Sequence, residues 1–307
     1  MISWAVDKTF STVLFFLVLF GVVMNHIALN MTDDYFDYKH AVDHLRPGEK
    51  NPYTGGSGTL SSGLITPHSM LTAFTLCYVV TICIGLYLTL TRGWPVLAFG
   101  VFGIFCSLFY TMPPISYSHR GLGELGLLVN FGTTIGLGSY FVQAHKLSLE
   151  AFLATLPMGI MLFSMIAINE IPDYMEDKMA GKLTLVARYG KGAGVKLYIL
   201  SWVCTYMVIL GGVLFQIIPL FCLVALVSTP LVYRSIKWLK SHLDQPSELA
   251  PTNLDMIKAH SVTSLGLIAA YALDGLVNEA NLVQLLEILC LLAGFYIPAA
   301  IPLLKKH

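Results

Sequence analysis

The residues best able to do chemistry are two clusters of carboxylates, each led by an asparagine. The string NMTDDYFDYKHAVD carries Asn30, Asp33, Asp34 and Asp37, and the string NEIPDYMEDKMAGKLTLVARYG carries Asn169, Glu170, Asp173, Glu176 and Asp177. On a helix, positions 30, 33, 34 and 37 lie on one face, and 169, 173 and 177, repeating every four residues, share another. Both clusters begin inside long apolar runs, where a carboxylate is costly and turns toward a bundle interior or a wet cavity. A single cluster of this kind reads most simply as a solvated helix end. Two of the same design on one leaflet point instead to a shared site. Four or more carboxylates meeting at one place repel each other unless cations lie between them. Oxygen-only ligands at an open site suit Mg²⁺, which takes a few carboxylates and completes its shell with water and substrate phosphate. The ligand that follows from the charges is a metal-bound diphosphate.

The flanking residues fit that ligand. Lys39, Arg46 and Lys50 follow the first cluster, and Lys178, Lys182 and Arg188 follow the second. They would contact phosphate oxygens left free by the metal, or they are ordinary basic residues of the cytoplasmic side. Arg120, in the short segment YTMPPISYSHRGLGE, stands out as the cation of a tight turn. The segment NPYTGGSGTLSSG, residues 51–63, is rich in Gly and Ser but lacks the Lys of a Walker loop. It reads as a loop, with a lid whose N–H groups approach a diphosphate as the alternative. Cys77, Cys83, Cys106, Cys204, Cys222 and Cys290 are scattered singly, with neither a CxxC pair nor a His at ligand spacing. They indicate no zinc site and no disulfide framework, and are expected to fill the core.

The elements that must hold these clusters are membrane helices. Of 307 residues, 56% are apolar and only 12% charged, with a mean hydropathy of +0.71; soluble domains carry roughly 25% charged residues. Eighteen Lys and Arg balance eighteen Asp and Glu, which removes the electrostatic case for a nucleic-acid partner. A spanning helix needs about 20 mostly apolar residues. Charge-poor runs supply nine: 10–30, 69–91, 94–112, 122–143, 150–170, 194–214, 217–236, 257–276 and 282–303. With that count, only Lys8, Arg92 and Lys146 of the eighteen basic residues fall on one side. So strong a bias places the long loops 31–68, 113–121, 171–194 and 237–256, and both acidic clusters, in the cytoplasm, with the N-terminus outside. The run after Lys8 is long enough to span and lacks a small-residue cleavage site, so no cleavable signal peptide is apparent. The expectation is an all-α, multi-pass protein of the cytoplasmic membrane, a single domain over 1–307 embedded in the lipid bilayer.

At this point the residues resemble a family. The two Asp-rich strings at cytoplasmic helix ends are similar to those of the UbiA superfamily of intramembrane prenyltransferases, and most similar to its menaquinone-type (MenA-like) branch. DDYFDYKHAVD resembles that branch's NDYYDYKxGVD, NEIPDYMEDKMAGKLTLVARYG its NNxRDxxxDxxxGKxTLxxRxG, and YTMPPISYSHRGLGELGLLVNFG its YTxxPxxYxxxGLGE/D. The three strings keep the branch's order over roughly residues 10–275, and the second is the most specific. Asp33 stands where the branch usually has Asn, with Asn30 one turn earlier. Family members generally carry a helix before the first-motif helix. Here the first span already bears the motif, and the added span 282–303 is expected to fill that gap in the family's ring of helices around a central cavity.

The resemblance implies transfer of a polyprenyl group from its diphosphate to an aromatic quinone precursor, in this branch 1,4-dihydroxy-2-naphthoate. Asp33, Asp37, Asp173 and Asp177 would hold Mg²⁺, two ions, on the diphosphate, with Asp34 and Asp43 as further candidates. Asn30 and Asn169 would orient carboxylates or diphosphate oxygens, and Lys39, Arg120, Lys178 and Lys182 would contact the diphosphate. Tyr110, Tyr117 or Tyr174 would face the allylic cation, or belong to the interfacial aromatic belt. Other acceptors of the superfamily remain open: 4-hydroxybenzoate, homogentisate, a chlorophyll precursor, a glycerol ether. Outside it, a cation transporter would place its carboxylates near mid-membrane on broken helices. A CDP-alcohol phosphotransferase would carry DxxDGxxAR, which is missing.

Overall fold

The computed structural model describes residues 1–40, 53–54, 56–278, 283–285 and 288–290. Among these there are helices and no strand, so the fold is all-α. Seven helices are long and apolar enough to cross a membrane. They are α2 (Thr12–Lys39), α3 (Pro67–Arg92), α5 (Gly123–Ala144), α6 (Leu149–Asn169), α9 (Lys191–Leu214), α10 (Leu220–Ser241) and α11 (Pro246–Val277). An eighth, α4 (Trp94–Leu108), is apolar but has only 15 residues. The short helices α1 (Ile2–Asp7), α7 (Tyr174–Met179) and α8 (Leu185–Tyr189) complete the set. Each of the first eight expected spans thus meets a helix, while the ninth, 282–303, lies largely outside the described residues. The helix expected over 94–112 stops at Leu108: Pro113 has no N–H for the Phe109 carbonyl four residues back and its ring would clash there, and it also keeps Met112 out of the helical region.

Local signals set the boundaries. Ser11, Thr66 and Ser148 accept hydrogen bonds from the first turns of α2, α3 and α6. Gly93, at φ +97°, separates α3 from α4. The helices pack in two groups: α2, α3, α4 and α5 against one another, and α6, α9, α10 and α11 likewise. The groups join where α5 meets α6. There α5 loosens into a π-helical segment, Leu128–Thr134, and Gly159 lets the backbones touch. A Cβ at 159 would fall 2.2 Å from the Leu128 carbonyl and 2.7 Å from the Gly132 Cα.

The sequence reading held no helix before residue 10, yet α1 docks on both α11 and α5. Its Trp4 is fully buried and lies where a Cβ on Gly275 would be, 2.2 Å away. Leu285 and Ile288 are buried in the same cluster. Elsewhere Phe20, Leu76, Leu86 and Leu210 lie exposed on long helices, a surface that suits lipid and not water. Core filling holds for Cys106 and Cys222, which are buried; Cys83, Cys204 and Cys290 are exposed on the outer surface.

Candidate active site

The first acidic cluster rides on an unbroken helix. Because α2 runs on to Lys39, Asp33, Asp34 and Asp37 leave it within little more than one turn. Asp37 is buried. Its Oδ2 accepts a hydrogen bond from Lys182 Nζ at 3.0 Å, and its Oδ1 lies 3.3 Å from His119 Nε2. The Oδ1 of Asp33 is buried with no hydrogen-bond partner. Asp34 Oδ1 accepts from the Ser57 N–H at 3.1 Å.

The second cluster is built differently, which corrects the expectation of one helical face for 169, 173 and 177. The helix α6 ends at Asn169, the chain turns, and Asp173 is the residue that precedes α7. Pro172 accounts for the break: it offers no N–H and disfavours the helical region at Ile171. Asp173 Oδ1 accepts from Thr54 Oγ1 at 3.2 Å. Asp177 is buried, and its carbonyl receives the Lys182 N–H at 2.8 Å, helped by Gly181 at φ +72°. That turn sends the Lys182 side chain back to the first cluster. Asn169 Oδ1 accepts from Asn253 Nδ2 at 2.7 Å.

Three links therefore tie the clusters to one end of the bundle: Lys182 to Asp37, Thr54 to Asp173, and Ser57 to Asp34. Lys182 is the electrostatic centre. Burial alone would lower its pKa, but the carboxylates of Asp37, Asp33 and Asp177 outweigh that and hold it well above the ordinary lysine value.

Other expected residues take other partners. The Arg120 guanidinium donates to the Pro114 carbonyl at 2.8 Å, and its own carbonyl accepts from Arg188 at 2.8 Å. It knits its loop, while the neighbouring His119 reaches the carboxylate. Asn30 donates to the His26 carbonyl one turn back at 3.0 Å and is exposed. Lys39 Nζ sits over the Tyr35 ring at 4.6 Å. Lys178 Nζ donates to the Tyr174 hydroxyl at 3.4 Å. Tyr110 and Tyr117 are buried and meet edge to face with centroids 5.4 Å apart, and the Tyr117 hydroxyl donates to the Cys106 carbonyl at 2.7 Å. Asp43, Arg46 and Lys50 lie outside the described residues.

His119 and Asn253 meet the two clusters without having been singled out in the sequence, whereas Thr54 and Ser57, which reach Asp173 and Asp34, belong to the Gly/Ser-rich segment 51–63 expected as a loop or lid. His119 is the chain neighbour of Arg120, the cation that the sequence singles out in this turn; Asn253 has no signal beyond being an amide in an apolar helix. A further carboxylate, Glu124, is fully buried in α5, accepts from the Leu185 N–H at 2.7 Å and neighbours Glu170.

A profile of the UbiA prenyltransferase family matches residues 1–257. The chain belongs to the UbiA prenyltransferase family. It is 28% identical to the 1,4-dihydroxy-2-naphthoate octaprenyltransferase of Mycobacterium leprae (strain TN) over 252 residues, 82% of each chain. It is 25% identical to the enzyme of that name from Bacillus subtilis (strain 168), over 73% of this chain and 70% of the other. It is 26% identical to the Escherichia coli (strain K12) enzyme, over 81% and 80%. Among solved structures, that of a digeranylgeranylglyceryl phosphate synthase has the same fold, with TM-score 0.55, 15% identity, and 88% and 89% coverage. This UbiA-family chain is thus a multi-pass membrane protein and a prenyltransferase, with naphthoate prenyltransferases among its relatives.

Proposed function

We propose that this protein transfers a polyprenyl group from its diphosphate to 1,4-dihydroxy-2-naphthoate, at a Mg²⁺-dependent site on the cytoplasmic side of the cell membrane. The observation that carries the reading is the meeting of both acidic clusters around Lys182, with a carboxylate oxygen of Asp33 buried and unpartnered beside it. The relatives named as naphthoate octaprenyltransferases supply the substrate class.

The donor set fits Mg²⁺. Asp33 Oδ1 and, in the second cluster, Glu176 Oε2 are buried without partners, and every candidate ligand is an oxygen. Among the described residues no three His, Cys, Asp or Glu stand close enough to form a ready-made cage, so water and substrate phosphate would have to complete the shell of each ion. Asp33, Asp37, Asp173 and Asp177 would hold it, with Asp34 nearby. Bound there, Mg²⁺ supplies Lewis-acid stabilisation of the departing diphosphate.

The chain's own residues do the rest. Lys182, charged at every physiological pH, attracts the diphosphate and shares its leaving charge. His119 and Lys182 fix the Asp37 carboxylate, and Asn253 fixes Asn169. The allylic C–O bond breaks with its electron pair going to the diphosphate. The buried rings of Tyr110 and Tyr117 would face the resulting cation. The acceptor ring then bonds to that carbon, and loss of its carboxylate or a proton restores aromaticity.

The test is transfer of a labelled prenyl group by membranes containing the protein, with a panel of acceptors. Prenylated naphthoate is expected. Labelled product with 4-hydroxybenzoate or homogentisate alone would overturn the acceptor, and none with any acceptor would overturn the reading.

A further inference from the structure

A cavity of about 540 Å³ lies between α2, α3, α4 and α5, open to the outside where Leu86, Leu97 and Val101 are exposed and walled mainly by Leu, Val, Ile, Phe and Gly. The hydroxyls in its wall, Thr81, Thr89, Thr134 and Ser139, bond backbone carbonyls, and two amides also line it. Asn130, in the π-helical segment of α5, is 3% exposed, and its Oδ1 has no hydrogen-bond partner. Asn25 of α2 lines the same chamber, and its Oδ1 is likewise buried and unpartnered. Along α4 they lie about one turn apart: Ser107 Oγ donates to the backbone carbonyl of Asn25 at 3.4 Å, a Cβ on Gly103 would lie 3.6 Å from Asn130 Oδ1, and 103 and 107 are one turn apart on α4.

A buried amide oxygen without a partner weakens the fold unless something meets it. An isoprenoid tail, being hydrocarbon, cannot. A flat apolar ring bearing hydroxyls can, because each hydroxyl both donates and accepts and so suits either end of an amide. An apolar cavity with a few convergent polar groups has the general form of a small-molecule site. π-helical segments occur frequently at functional sites, and here one carries Asn130. Asn25 precedes Asp33 by eight residues, about 12 Å along the helix. That interval leaves room for a diphosphate and the first carbon of its chain.

We propose that Asn25 and Asn130 bind the ring hydroxyls of the aromatic acceptor and thereby position it beneath the diphosphate. The inference rests on the reading of the protein as an aromatic prenyltransferase, and it assigns the acceptor's seat to these two amides.

The experiment measures equilibrium binding to the purified full chain in nanodiscs, with 1,4-dihydroxy-2-naphthoate, with 2-naphthoate lacking the hydroxyls, and with a prenyl diphosphate. For the wild type, the dihydroxy compound is expected to bind about tenfold more tightly than 2-naphthoate, at one neutral hydrogen bond or more. In Asn130→Leu and Asn25→Leu that preference shrinks toward unity, while prenyl diphosphate affinity stays within about twofold. Should either leucine variant fail to fold, Gly103→Ala serves. Its methyl makes an ordinary contact with Asn130, and it is expected to weaken the dihydroxy compound selectively. An undiminished preference in the variants overturns the inference. So does weakened prenyl diphosphate binding with acceptor binding intact, which would give the chamber to the tail. If the wild type binds neither naphthoate, the acceptor named above fails. The two amides are then judged on hydroxylated and dehydroxylated benzoates in the same variants, and equal binding of both would sink them.

Discussion

The two acidic tips carry nearly the same spacing of side chains and are built in opposite ways. In the first, α2 continues through Asp33, Asp34 and Asp37 to Lys39, so the helix itself aims the carboxylates. In the second, α6 stops at Asn169 and the chain turns into the short helix α7, so a loop aims them. The first tip supplies fixed negative charge. The second supplies, besides its own carboxylates, the cation that answers it, since the turn after Asp177 returns Lys182 to Asp37. One rigid tip and one folded-back tip can close on a shared ligand, whereas two straight helices would hold their charges apart.

The largest expected effect tests whether both tips serve one ligand. Asp37→Ala and Asp173→Ala should each lower prenyl transfer about a hundredfold or more, the scale seen when a preorganised electrostatic group is removed. Excess EDTA should stop transfer in the wild type, and added Mg²⁺ restore it. Labelled transfer in membranes reads both, with detergent gel filtration confirming that each variant still inserts and folds. Full activity in Asp173→Ala alone would leave the straight tip as the whole site and break the comparison.

Next in size is the link between the tips. Lys182→Met leaves Asp37 buried beside Asp33 without its cation and should cost about 3 kcal/mol, the low end for breaking a buried pair because Lys182 keeps 14% exposure. The sign with pH follows from its raised pKa. A folded pKa above the unfolded one adds stability below the unfolded value, and that stability is lost only as pH climbs through the folded value. The wild-type advantage in melting temperature over Lys182→Met should therefore hold from about pH 7 to about pH 10, the ordinary lysine range. An advantage that vanishes by pH 8 would show that Lys182 is not held by those carboxylates.

The same contrast explains what was legible in the sequence. Periodicity and charge-free length are properties of a continuous helix, so α2, α3, α5, α6 and α9 stood where the apolar runs put them, and the spacing of 33, 34 and 37 read correctly as one helix tip. The spacing of 169, 173 and 177 looked equally helical, but Pro172 ended the helix inside it. A four-residue repeat carries no meaning across a chain break. Arg120 stands out in the sequence as the strong cation of its turn, yet only the loop's path decides that His119, and not Arg120, reaches Asp37. Asn253 comes from a segment distant in sequence and no local pattern marks it, while the Gly/Ser richness around Thr54 marks a loop but not which acidic residue it meets. The helix α1 escaped because six residues are too few for a periodic signal, and its docking depends on Gly275 in the last described membrane helix.

His119 and Arg120 form a smaller test of the two building styles. His119→Ala removes a contact to the rigid tip and should lower turnover about three- to tenfold, one charge-assisted hydrogen bond. Arg120→Ala loosens only its own loop and should stay within about twofold in turnover, as for a surface contact. Initial rates at saturating prenyl diphosphate distinguish the two, and a larger loss in Arg120→Ala would reassign the phosphate contact to the arginine.

The smallest effect concerns the Gly/Ser-rich segment, which touches both tips through groups only three residues apart. Ser57 donates its backbone N–H to Asp34, and Thr54 donates its hydroxyl to Asp173. No ordinary side-chain change at Ser57 removes the first contact, which its backbone makes, but Thr54→Val removes the second at nearly constant volume. Because the loop-built tip relies on such contacts to aim Asp173, Thr54→Val should raise the KM for prenyl diphosphate about two- to fivefold, one partly exposed hydrogen bond. Turnover should be unchanged, since Asp173 itself remains. Ser57→Ala, which keeps the backbone donor, is the matched control and should leave both constants as they are. Equal effects from Thr54→Val and Ser57→Ala would mean that the segment acts through its side chains at large, and that the second tip aims Asp173 without it.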